Sequence, residues 1–147
     1  MTRHLRFDIG LLAERLVDAT RWVAEQDDMR HLRVGYFGSS TGGGAALVAA
    51  AAMGEAIGAV VSRGGRPDLA GSALARVVSP TLLLVGGRDE VVLRLNQEAY
   101  AQLQCKKELK IIAGASSMTR YRLPPPFCCI SRYLFFAWMT RCAASAG

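Results

Sequence analysis

"VGYFGSSTGGGAAL", Val34 to Leu47, joins a short apolar run to an alanine-rich segment through a knot of small residues around Ser40. Leu32 to Phe37 predicts a strand. Thr41 to Met53 predicts a helix from its alanine content, although Gly42, Gly43 and Gly44 weaken the first turns. Between them, Gly38-Ser39-Ser40-Thr41-Gly42 fits G-x-S-x-G. In a chain with fifteen glycines the pattern alone says little, and its place between a strand and a helix gives it meaning. A sharp turn there, with tiny neighbours, lifts a serine hydroxyl above the end of a sheet. The helix N-terminus behind it aims backbone N–H groups, including that of Thr41, at a developing oxyanion. The same residues also read as a capped Ser/Thr/Gly turn or a phosphate-binding turn.

The flanking sequence alternates between helix and strand. Leu11, Leu12, Leu16, Val17, Ala19, Trp22 and Val23 recur at helical spacing, which predicts an amphipathic helix from about Asp8 to Glu25. Downstream, Ala56 to Ser62 reads as a strand and Pro67 to Arg76 as a short helix. Thr81 to Gly86 is a continuous apolar run of the kind found in parallel strands covered on both faces. Leu93 to Leu103 returns to helix and Leu109 to Ile112 to strand. The pattern predicts an α/β fold in three layers, a mostly parallel sheet of about four strands with helices on both faces. Tyr36, Phe37, Trp22 and Leu82 to Leu84 are core residues by pattern, with no cofactor role.

At 147 residues, 51% of them hydrophobic, the chain suits one small domain. The net charge of +6 is unevenly spread. All twelve acidic residues lie at or before Glu108, whereas Arg120, Arg122, Arg132 and Arg141 follow without an acid. No basic stripe with interleaved aromatics emerges, so no nucleic-acid partner is expected. No apolar run reaches the eighteen residues of a membrane span, and the N-terminus has no leader pattern, so the expectation is a soluble, cytoplasmic protein. Cys105, Cys128, Cys129 and Cys142 form no CxxC pair and have no histidine at ligand spacing. Neither a metal, a cofactor nor a disulfide framework is expected.

A serine nucleophile needs a base and an acid that orients it. Asp89, in "VGGRDEVV", follows a predicted parallel strand and therefore lies at the same sheet edge as Ser40. Its alternative role is to cap the helix that begins near Val91. Arg63 and Arg66, in a predicted loop at that same edge, suit a substrate carboxylate through bidentate hydrogen bonds. They equally suit backbone carbonyls, Asp68 or Asp89.

Together, "VGYFGSSTGGGAAL", "VVSRGGRPDLAG", "SPTLLLVGGRDEVV" and "LKIIAGAS" resemble the α/β-hydrolase superfamily, and within it the dienelactone-hydrolase-like branch. The resemblance covers roughly Phe7 to Ser116. It implies hydrolysis of a small-molecule ester or lactone, with Ser40 as nucleophile, Asp89 as acid and Thr41 N–H as an oxyanion donor. It also implies a histidine just after the last strand. Members of the branch read G-A-S-H or G-A-T-H there, while this chain reads Gly114-Ala115-Ser116-Ser117, so Ser117 occupies the histidine position. The remaining histidines are His4 and His31. His31 precedes the nucleophile strand, about 20 Å from its far end.

In the family the nucleophile strand is the fifth, whereas one helix precedes it here. The expectation is therefore a truncated hydrolase domain over residues 1–115 with impaired catalysis, followed by a divergent basic and aromatic tail over 116–147. That tail holds three consecutive prolines and one possible helix from about Phe127 to Arg141. The alternative is a non-catalytic binding or interaction module, self-associating through the exposed edge of the Leu32 to Phe37 strand.

Overall fold

The computed structural model describes residues 8–116. Backbone contacts divide the chain into Met1–Ser117 and Met118–Gly147, and the described residues all belong to the first unit. The expectations for Ser117 and for the tail lie outside the described residues.

Helix α1 spans Ile9–Glu25 and begins where Asp8 Oδ1 accepts the Leu11 N–H at 2.9 Å. Strand β1 covers Val34–Ser40 and runs directly into α2, Thr41–Met53. Strand β2 covers Ile57–Gly65. A 3-10 stretch over Pro67–Arg76, kinked at Gly71, leads to β3, Thr81–Gly86. Helix α3 spans Glu90–Gln102 and β4 covers Lys107–Ile112. The four strands form one parallel sheet in the order β1-β2-β3-β4, with helices around it. This is the parallel α/β sheet that the alternating pattern predicts, and the partial α/β-hydrolase architecture that the resemblance implies.

Register decides which residues meet. Tyr36, Val60, Thr81 and Lys107 lie side by side across the sheet, and so do Gly38, Ser62, Leu83 and Leu109. Tyr36, Val60 and Leu83 join Leu47, Leu74 and Leu103 in one buried core. The helical segments pack in a row over it, α1 on α2, α2 on the 3-10 stretch and that stretch on α3. Within this core the Thr20 hydroxyl donates to the Leu16 carbonyl at 2.7 Å, so its contact with Tyr36 Oη, also 2.7 Å, is donated by the tyrosine. Burial pushes the Tyr36 phenol above its usual range. The phenol therefore stays a neutral donor that ties β1 to α1.

Two residues assigned to the core by pattern are exposed. Trp22 is 57% and Phe37 58% accessible. Phe37 alternates with the buried Tyr36 on a strand at the sheet edge, and alternate strand residues face opposite ways. Trp22 follows Arg21 on the exposed stretch of α1 rather than the side that buries Ala13 and Thr20. The strands also extend beyond their predicted limits: β1 reaches Ser40 and β2 reaches Gly65, because small and polar residues continue the ladder through Ser39↔Arg63 and Ser40↔Gly65.

Lys107 closes α3 from the next strand. Its ammonium donates to the carbonyls of Tyr100 at 2.7 Å and Leu103 at 2.6 Å, and lies 4.6 Å from the centre of the Tyr100 ring. These are carbonyls at the negative end of the helix, where a cation is favoured. Lys107→Met keeps the aliphatic stem and removes the donors. It is expected to lower unfolding stability by about 1–2 kcal/mol, read by equilibrium urea denaturation; an unchanged midpoint would show the contact to be energetically idle.

Candidate active site

The turn at Ser40 is built from the backbone upward. Ser40 has φ 52° and ψ −129°, and among the described residues it is the one non-glycine with positive φ. Such a conformation is costly for a residue with a Cβ and persists only where the surroundings enforce it. Here the enforcement comes from both sides. Ser40 pairs with Gly65 at the end of the β1–β2 ladder, and the Arg66 N–H donates to the Ser40 carbonyl at 2.9 Å. On the other side α2 starts at once, with Thr41 as its first residue.

Close backbone approach explains the glycines. A Cβ on Gly38 would overlap the Gly42 carbonyl oxygen and come within 2.6 Å of the Gly43 nitrogen. Beneath the turn, the buried Ser62 hydroxyl fills the space that a Cβ on Gly43 or Gly65 would take. The result is an exposed serine on a strained strand-to-helix turn, at a helix end whose N–H groups point outward.

Asp89 stands three residues beyond β3, at the same carboxyl edge of the parallel sheet as Ser40. Two strand spacings, about 10 Å, separate β3 from β1. Asp89 is half-buried and caps α3, its Oδ1 accepting the Val92 N–H at 3.2 Å. One carboxylate oxygen is thus committed to the helix. The turn after β4 comes back against this loop: the Arg88 N–H donates to the Ala115 carbonyl at 2.9 Å, and a Cβ on Gly86 would meet that carbonyl at 2.6 Å. Ser116, the residue before the expected base position, therefore follows a residue anchored beside the Asp89 turn.

Arg63 is placed in β2 rather than in a loop, between Ser39 and Leu84 in register. Arg66 forks onto Asp68, with Nε to Oδ1 at 2.9 Å and Nη2 to Oδ2 at 2.7 Å. That carboxylate raises the guanidinium further above its usual range. The role as partner of Asp68 is the one the geometry displays. His31 lies before the first residue of β1, at the amino edge, and β1 brings Ser40 to the opposite edge. One residue of the site escaped the sequence reading: Asn96 of α3, which is fully buried and donates to Gly65 at 3.1 Å.

No protein-family model matches the chain. Among solved structures, a dienelactone hydrolase from Anabaena variabilis ATCC 29413 is similar at 56% identity and a TM-score of 0.87, over 95% of this chain and 63% of its own. A predicted CIB-like hydrolase from Thermoplasma acidophilum is similar at 21% identity and a TM-score of 0.63, over 86% of this chain and 58% of its own. A dienelactone-hydrolase-like promiscuous phosphotriesterase from metagenomic libraries is similar at 18% identity and a TM-score of 0.61, over 86% of this chain and 53% of its own. The last two show the fold alone.

Two proteins of Mycobacterium tuberculosis, from strains CDC 1551 / Oshkosh and ATCC 25618 / H37Rv, are each 61% identical over 112 residues. The match covers 76% of this chain and 25% of theirs, and both carry the provisional name phosphoribosyl transferase. The chain thus spans about a quarter of those curated relatives and less than two thirds of the Anabaena enzyme. Sheet, turn and neighbours define an α/β-hydrolase fold. Within that superfamily the chain is similar to the dienelactone-hydrolase-like branch, on its 56% identity to the Anabaena structure.

Among the described residues no helix is long and apolar enough to cross a membrane.

Proposed function

We propose that this chain is a serine-hydrolase-like protein of ester- or lactone-hydrolase type, with Ser40 as nucleophile, Thr41 N–H as oxyanion donor and Asp89 as the acid. Its own turnover is impaired because Ser117 stands where a histidine would take the Ser40 proton. The observation that supports this reading best is the backbone of Ser40, the one non-glycine with positive φ among the described residues, exposed at a strand-to-helix turn in the G-x-S-x-G motif. Arg63 and Arg66 are the residues of this edge proposed to meet a substrate carboxylate, Arg66 while it also holds Asp68.

Phosphoribosyl transfer gains no support from this chain, which matches a quarter of the proteins bearing that name. The glycines after Ser40 are followed by no lysine, and Leu47 stands where a G-x-G-x-x-G turn needs its last glycine.

A second reading, a non-catalytic interaction module, is favoured by Phe37, exposed on the edge strand β1. A second copy of this chain is the partner proposed for that edge. An aryl fluorophosphonate followed by peptide mapping separates the two. With the base absent, the hydrolase reading expects slow labelling that added imidazole, an exogenous base, accelerates at Ser40 in preference to Ser39 and the other serines, and no label there in Ser40→Ala. A Ser40 left unlabelled with imidazole present would overturn it in favour of the interaction module.

A further inference from the structure

Asn96 lies in the middle of α3 with 0% of its surface accessible. Its Nδ2 donates to the Val92 carbonyl at 2.8 Å and, across to the sheet, to the Gly65 carbonyl at 3.1 Å. Both partners are carbonyls, so only the amide nitrogen can satisfy them and the orientation of the side chain is chemically fixed. Its Oδ1 is buried with no partner. A leucine would fill such a helix position at lower cost, because a buried polar atom left unpaired is destabilising. The carboxamide is therefore accounted for by what its nitrogen holds.

Both bonds lead to the candidate site. Val92, one turn before Asn96, is the residue whose N–H the Asp89 carboxylate accepts. Gly65 is the ladder partner of Ser40, and the next residue, Arg66, donates its N–H to the Ser40 carbonyl. A continuous series of hydrogen bonds thus runs from Asp89 through Val92, Asn96 and the Gly65–Arg66 backbone to Ser40. We propose that Asn96 is a positioning residue that clamps the Asp89 turn of α3 to the end of β2 and so fixes it relative to the Ser40 turn. It touches no reacting atom. The proposal rests on the assignment of Ser40 and Asp89 as nucleophile and acid, but its test does not depend on turnover.

The test is residue-resolved amide hydrogen exchange on the full chain, wild type against Asn96→Leu. The Arg66 amide, which bonds Ser40, should exchange at least about tenfold faster relative to the Leu83 amide of the central strand. A merely structural role would accelerate both alike and leave their ratio unchanged, and that result overturns the clamp, as does no change at either amide. Asn96→Ala, which removes the same bonds without placing an apolar branch against Gly65, is read in the same way should the leucine variant fail to fold. Failure of both to fold would make Asn96 a residue of the whole domain and would also overturn the proposal. Ser40 left unlabelled by the fluorophosphonate, with exchange altered as expected, would remove the nucleophile assignment and keep the clamp. Labelling with an unchanged exchange ratio would do the reverse.

Discussion

Gly38→Ala is expected to destabilise the domain by about 3 kcal/mol or more, while Gly42→Ala, four residues along the same G-x-S-x-G motif, leaves it unchanged or gains about 0.5–1 kcal/mol. The two glycines serve different ends. A methyl on Gly38 would run into the backbone of Gly42 and Gly43, and backbone in the first turn of α2 cannot move aside without unwinding the helix. Relief would require the strand end to withdraw from α2, which breaks the Ser40↔Gly65 pairing and the Arg66 bond to Ser40. At Gly42 a methyl meets nothing within 4 Å and adds helix propensity in α2. Equilibrium urea unfolding of both variants checks the contrast. Similar losses at the two positions would mean that the turn is not held by the close approach of β1 to α2.

What the sequence discloses of this architecture depends on which physical term decides each feature. Strand β3 is legible because Thr81 to Gly86 is apolar throughout and buried along its whole length. The ends of β1 and β2 are not, since Ser39, Ser40, Arg63 and Gly65 enter the ladder through backbone hydrogen bonds that carry no hydropathy signal. Ser40 can be singled out by motif and position, but its positive φ is imposed by the ladder on one side and the helix on the other. Asp89 lies at the edge the sequence assigns to it, and it caps α3, the one of its two readings that the hydrogen bonds display. Arg66 is decided by a neighbour two residues away, Asp68, which the sequence also displays. Asn96 left a signal that went unused. It interrupts the stripe of Val92 and Ala99 along α3, which Leu103 continues just past the helix end, and a polar residue on an apolar stripe must find partners in the core.

Turnover gives the largest expected effect and the clearest division of roles. An alcohol without a positioned base attacks poorly, and the leaving group receives no proton. In serine hydrolases, loss of a triad member leaves only about 10³–10⁴-fold catalysis over water and removes about 10⁶ in kcat. Wild type is therefore expected to hydrolyse an activated aryl ester at a rate equal, within about twofold, to that of Ser40→Ala.

Ser117→His restores the missing group in type, and the anchoring of Ala115 beside Arg88 brings the chain to the Asp89 turn just before that position. A base also needs its ring held, and one oxygen of Asp89 is already taken by Val92. Thr41 N–H is the single oxyanion donor assigned among the described residues. The gain from Ser117→His is accordingly expected to stay below about tenfold, far short of the factor that a complete triad supplies. The assay compares wild type, Ser40→Ala and Ser117→His on one ester over a range of pH. A gain of about 10³ in Ser117→His that vanishes when Ser40→Ala is added would show that the histidine alone is what the site lacks. Clear turnover by wild type that vanishes in Ser40→Ala would show that a group other than a histidine at position 117 already serves as the base.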